Sequence, residues 1–352
     1  MLGPLARADD RDRALAGIQV YADSDGLTVV HPSAMAAARV ADETRIEARY
    51  DADVITAATV DVRTSASVRP FEEVRHGGRL AVTQELSRTL ALGGAYALSV
   101  APDHQSHTLG VSVSGEDEPR AHRLEADLRG AYESVGRAGD RAPRGEVIAL
   151  GGGLGWASVL ARWLVLDLGA ALEWRHGHLE SPYRFVTVLG DAQEALRVPE
   201  QVPDDRVRAS IRARLRAALG DHLFARASYR LHGDDWGIVG HTVELTASVQ
   251  LARGWVASLG GRLLVQRGAT FYQGTYVTLP ELPLHRTRDR ELAPGFAAAA
   301  LVSLDAHLFD LPERFRFIAR VRAQLLYHRF IDTPALPERT GVILGLTLGV
   351  ER

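Results

Sequence analysis

Hydrophobic and polar residues alternate along most of this chain, and the pattern is cleanest in its second half. From Val207 to Ala217, Val207, Ala209, Ile211, Ala213, Leu215 and Ala217 interleave with Arg208, Ser210, Arg212, Arg214 and Arg216. A segment with that period of two forms a strand with one apolar face and one face that is almost wholly arginine. The next segments repeat the pattern. Leu223, Ala225, Ala227, Tyr229 and Leu231 alternate with Arg226, Ser228, Arg230 and His232, and Val243, Leu245, Ala247, Val249 and Leu251 alternate with Glu244, Thr246, Ser248 and Gln250. Gly220-Asp221, Gly233-Asp234-Asp235 and Arg253-Gly254 punctuate the runs. Antiparallel hairpins with one greasy and one wet face are predicted.

Read the same way, the rest of the chain predicts strands near 37–51, 73–87, 89–102, 105–115, 120–134, 145–160 and 161–176, then 206–218, 220–232, 239–252, 254–268, 291–306, 314–329 and 340–351. That is about fourteen, preceded by a small hairpin over 17–36 that turns at Asp23 to Gly26. The connections fall into two sets. Those near 88, 117, 160, 219 and 253 are short, whereas 52–72, 177–205 and 269–290 are long. Only the connection at 307–313 is longer than its short set allows.

These apolar faces meet either the core of a soluble sandwich or lipid. The second choice makes the chain an all-β, antiparallel, up-and-down transmembrane barrel, with short periplasmic turns, long outer loops and a polar lumen. The recurrence of one apolar face on nearly every segment favours it. Each charge misplaced on the lipid face near the midplane costs ~2–4 kcal/mol, so a one-residue slip of an arginine-rich strand costs about 10 kcal/mol. Phe315, Phe317, Ala319, Val321, Ala323, Leu325 and Tyr327, opposed by Arg314, Arg316, Arg320, Arg322, Gln324 and His328, fix their register in this way.

Composition changes little. The chain has no cysteine, so disulfides and thiolate metal sites are excluded; its basic residues are all arginine; and its net charge of −3 gives no general case for nucleic acid. The most apolar run, Val147 to Trp174, contains Gly151-Gly152-Gly153, Arg162 and Asp167, which suit paired strands better than a membrane-spanning helix. Residues 1–16 are expected to be the remainder of an export leader, since Ala6-Arg7-Ala8 resembles an A-x-A cleavage site, and 37–352 are expected to form the barrel.

Several separated motifs carry a family resemblance: VYADSDGLTVVHP near the start, DVITAATVDVRTSAS at 53–67, SPYRFV at 181–186, and YRLHGDDWGIVGHTVEL followed by ATFYQ. They resemble the outer-membrane barrel family catalogued as domain of unknown function 3570. The resemblance implies the outer membrane of a Gram-negative bacterium, with outer-membrane lipid and the barrel-assembly machinery as partners. It implies no settled activity.

The candidate functional residues are therefore those of the lumen. Arg206, Arg208, Arg212, Arg214, Arg216, Arg226 and Arg230 form a basic wall, and Glu125, Asp127, Asp167 and Glu173 line the wall elsewhere. These carboxylates suit a lumen ladder against arginine better than catalytic pairs. Gly151 to Gly155 has the wrong spacing for a dinucleotide loop and suits relief of crowding. His176 and His178, two apart on an outer loop, could ligate a metal, but loop histidines are more often simply solvated. No catalytic signature is found, and no enzyme is expected.

One motif points elsewhere. Asp53 to Thr59 and Asp61 to Ser67 both resemble D-x-x-[S/T]-G-A-[S/T], which in other extracytoplasmic redox proteins carries flavin mononucleotide through a phosphoester to the last hydroxyl. Thr59 and Ser67 are the corresponding hydroxyls, although Ala57 and Ser65 stand where the pattern has glycine. Two classes follow: a channel, transport or scaffold barrel, whose arginine wall favours anions, or a flavin-carrying barrel in an electron-transfer route, served by a flavin transferase or redox partner.

Overall fold

The computed structural model describes residues 12–57, 71–117, 121–137, 140, 142–189, 195–277, 282–311, 315–334 and 336–352. The alternating segments are strands: β1 (Arg13–Asp23), β2 (Thr28–Ala41), β3 (Thr44–Ala57), β4 (Phe71–Glu85), β5 (Leu90–Ala101), β6 (His104–Glu116), β7 (His122–Val135), β8 (Gly145–Ala161) and β9 (Leu164–Gly177). Two short ones follow, β10 (Phe185–Leu189) and β11 (Ala195–Pro199). Then come β12 (Asp205–Ala218), β13 (Leu223–Asp234), β14 (Val239–Ala252), β15 (Trp255–Arg267), the short β16 (Tyr276–Val277), β17 (Gly295–Leu311), β18 (Phe315–Phe330) and β19 (Glu338–Glu351).

Sixteen of these close into one antiparallel barrel. Neighbours in sequence are neighbours in the wall, β9 pairs with β12 and β15 with β17 across the long connections, and β1 seals the barrel against β19 with Ile18 opposite Leu346. The apolar side chains of the alternation lie on the outside: Leu128 and Leu154 are 68% exposed and Ile211 55%. A closed barrel leaves no unpaired strand edge, which is the condition for crossing lipid with strands. The pairs Tyr50–His76, Tyr96–His107 and Tyr229–His241, hydrogen-bonded at 2.7–2.8 Å, place amphipathic rings on this outer face.

Sixteen strands replace the fourteen expected, and the difference lies at the N-terminus. The hairpin over 17–36 is part of the wall, as β1 and most of β2, and the strand expected at 37–51 is the end of β2, a turn at Asp42-Glu43 and the start of β3. That turn has two residues and neither glycine nor proline, and the bulge between Arg39 and Ala41 restores the parity that a two-residue turn reverses, so the alternation reads through it. Of the expected leader, residues 1–11 lie outside the described residues, while Arg13 to Ala16 belong to β1 and pair with β19. The long connection at 307–313 disappears, because β17 continues to Leu311 through a bulge between His307 and Phe309.

The turns at Asp42-Glu43, Arg162-Trp163 and Arg253-Gly254 lie at one end, which the barrel rule assigns to the periplasm, while the short turns at 24–27, Pro102-Asp103 and 235–238 lie at the opposite end. Gly254 has φ +81°, the left-handed conformation that a two-residue hairpin requires. An even strand number brings both ends of the wall to that side. The long connections 178–204 and 268–294 lie at the other mouth.

Candidate functional site: a capped, arginine-lined lumen

The inward positions of β12 and β13 stack arginines in register. Arg212 faces Arg230 and Arg216 faces Arg226 across this pair. Part of the wall is neutralised. Arg216 forms a two-pronged bond to Asp167 at 3.0 Å, Arg208 lies 3.8 Å from Glu173, and Arg206 pairs with Asp234 at 2.5 Å. On β7 to β9, Arg123 meets Glu125 at 2.5 Å, and Arg129 bridges Asp127 at 3.9 Å and Glu173 at 3.4 Å. Glycine makes room for that network: a Cβ at Gly151 would sit 2.9 Å from the Arg129 Nε, and one at Gly153 would sit 2.6 Å from an Asp127 oxygen.

The middle of the wall is different. Among the described residues Arg212, Arg214 and Arg230 have no ion pair, and the Nε atoms of Arg208, Arg212 and Arg214 are buried without a hydrogen-bond partner. Like charges directly opposite each other on paired strands destabilise them. An anion in the lumen would relieve that repulsion.

The long connections build a second structure across the outer mouth. β10 pairs with β11 antiparallel and with β16 parallel, so residues 178–204 and 268–294 share one small sheet. Val186, Val188 and Tyr276 are 0–1% exposed at its centre. The Tyr276 hydroxyl donates to the Phe271 carbonyl at 2.7 Å and accepts from the Thr287 N–H at 2.8 Å. A further apolar cluster of Val202, Trp236, Ile238, Tyr272, Leu292 and Phe330 joins this cap to the strand ends. Aspartate and tryptophan of the Gly-Asp-Asp-Trp-Gly run make the joint. Asp234 accepts from Arg206 and from the Ile238 N–H, the Arg206 guanidinium lies 4.2 Å over the Trp236 ring, and the Trp236 indole donates to the Asp205 carbonyl at 2.8 Å.

On the far side Arg290 donates to Asp25 in the β1–β2 turn at 2.6 Å and to the Leu336 carbonyl at 3.0 Å. Arg339 holds Glu291 at 2.9 Å. The cap thus crosses the mouth. Beneath it is a chamber of 360 Å³, with His104, Glu133, Arg175 and Arg208 contributed by the wall and His178, Asp289 and Leu292 by the connections.

Glu200 is the buried acid of the cap. Its carboxylate accepts from Thr287 Oγ1 at 2.5 Å and from the Ser181 N–H at 3.0 Å, with Arg184 and Asp289 nearby. Burial raises its pKa above the ordinary carboxylate value, overcoming Arg184 and these bonds. A raised pKa favours the folded cap while Glu200 is protonated, and that contribution is lost as pH rises through the raised value. Hydrogen exchange in 178–204 should therefore be slower at acidic than at neutral pH beyond its intrinsic dependence, and Glu200→Gln should abolish the difference. The same pH response in Glu200→Gln would assign it to another group.

The sequence-selected residues divide. The seven arginines and the four carboxylates all face inward, but the reading missed Arg262, Arg320 and Arg322, which extend the basic wall along β15 and β18. Alternation places them on the polar side of their own strands without showing which other strands lie beside them. Thr59 and Ser67 lie outside the described residues. Asp53, which opens the first copy of the motif, is tied into the wall by His31 at 2.6 Å and by Arg75. The cap anchors Asp25, Glu200, Thr287 and Arg290 carried no local signal.

A family model described as Protein of unknown function (DUF3570) matches residues 73–310. No curated protein matches the sequence. Among solved structures, a bacterial polysaccharide outer membrane secretin superposes with a TM-score of 0.54 at 10% identity, covering 97% of this chain and 98% of its own. The CymD monoaromatic hydrocarbon channel gives 0.49 at 9% identity, over 99% of this chain and 91% of its own. OpdK of Pseudomonas aeruginosa with vanillate gives 0.47 at 8% identity, over 99% and 100%. At these identities the likeness concerns the fold alone.

Proposed function

The chain belongs to the family described as Protein of unknown function (DUF3570), and we propose that it is a channel of the Gram-negative outer membrane, favouring small anions and closed outside by its cap. The observation that carries this reading is the run of unpaired lumen cations at Arg212, Arg214 and Arg230. A charged ring or wall in a narrow aqueous path selects ions of the opposite sign. Insertion would use the barrel-assembly machinery, and outer-membrane lipid would cover the apolar face.

In planar bilayers under a potassium chloride gradient, the reversal potential should show preference for chloride. Replacing Arg212 and Arg214 together by serine should lower the chloride-to-potassium permeability ratio roughly two- to threefold. A cation-selective conductance, or an anion preference untouched by the double substitution, would sink the proposal.

A further inference from the structure

A second cavity lies at the opposite end of the lumen from the cap. It has a volume of 580 Å³, within the range of small-molecule sites. Its floor is the periplasmic turn carrying Arg162 and Trp163, and its walls come from β9, β12 to β15, β17 and β18. Five arginines line it against one carboxylate, Asp305. That carboxylate is already bonded to Arg320, and Arg216 is held by Asp167 behind it. Arg162 and Arg322 have no ion pair among the described residues, and Arg226 has only a 3.4 Å bond to Thr246 Oγ1. Serine hydroxyls stand between these cations: Ser248 and Ser258 bond each other at 2.8 Å, and Ser303 faces Arg322 across β17 and β18.

We propose that this cavity binds a phosphorylated, hydroxyl-bearing small molecule, of the sugar-phosphate class, entering from the periplasmic side. The proposal rests on a solvent-open lumen, as in the channel reading. A singly charged carboxylate would leave two of the three uncompensated guanidiniums without a counter-ion. A phosphate group brings about two charges at neutral pH, and its tetrahedral oxygens can accept from guanidinium forks on different strands. The hydroxyls alternating with those forks suit a polyol rather than an apolar body. The cap leaves this site untouched, since it covers the other mouth.

The test is isothermal titration of the detergent-purified full chain with glucose 6-phosphate, inorganic pyrophosphate and glucose. Both phosphorylated probes should bind saturably and glucose should not. Arg226→Gln and Arg322→Gln should each weaken glucose 6-phosphate binding about tenfold or more. Arg49→Gln removes the same charge from the lumen face of β3 and should leave binding unchanged. No saturable binding, or equal weakening by Arg49→Gln, overturns the site. If chloride-selective conductance survives that outcome, only the site falls; if selectivity is also absent, the channel reading falls with it.

Discussion

Replacing Arg290 by alanine should open the channel. Arg290 and Asp25 are 12% and 8% exposed at their side chains, and they form the link between the cap and the β1–β2 turn. Removing Arg290 takes a charge-assisted bond away from the buried Asp25 carboxylate, at a cost of roughly 3 kcal/mol. A loss of that size falling on the closed cap shifts its opening equilibrium by about a hundredfold. Arg290 also packs 4.8 Å over the Phe330 ring, so the loss includes a packing share. Single-channel records should show longer and larger openings, and hydrogen exchange across 282–294 should accelerate. Replacing the pair together, Asp25→Asn with Arg290→Met, should perturb less, because no buried charge is left behind. Unchanged conductance and exchange in Arg290→Ala would show that the apolar cluster around Trp236 and Tyr272 holds the cap unaided.

Ile211→Arg should prevent assembly. Ile211 sits in the middle of β12 on the lipid side, between inward-facing Ser210 and Arg212. An arginine at the bilayer midplane of a barrel's outer face costs ~2–4 kcal/mol, a large share of a net stability on the order of 10 kcal/mol. Arg212→Leu, one position away, changes the lumen face and relieves a like-charge contact with Arg230, so it should fold normally. The fraction of protein in outer-membrane preparations that shows heat-modifiable migration on SDS gels separates the two. Equal assembly of both variants would contradict the register of β12.

Wall and interior differ in how they are encoded. In a strand the destination of each side chain follows from its parity, and parity is a local property. Val207 to Leu215 and Phe315 to Tyr327 therefore reveal their lipid faces, and the arginines between them their inward faces, before any partner strand is known. The long connections were legible for a related reason: the alternation stops over 177–205 and 269–290, and both of these irregular segments lie at the same mouth.

Strand number was less legible, since Asp42-Glu43, with the bulge before it, turns the chain without disturbing parity. The cap was hidden altogether. Its core, Val202, Trp236, Tyr272, Leu292 and Phe330, comes from four separate connections and strand ends and has no period of its own. Its latch joins Asp25 to Arg290, 265 residues apart, and its buried acid meets Thr287 across 87. The sequence alone thus determined that the chain is an arginine-walled barrel and which side of each strand meets lipid, because alternation acts residue by residue. Only closure of the sheet decided which arginines keep a counter-ion, that the outer mouth is covered, and that Arg162, Arg226 and Arg322 share a cavity, because those depend on which distant strands and loops become neighbours.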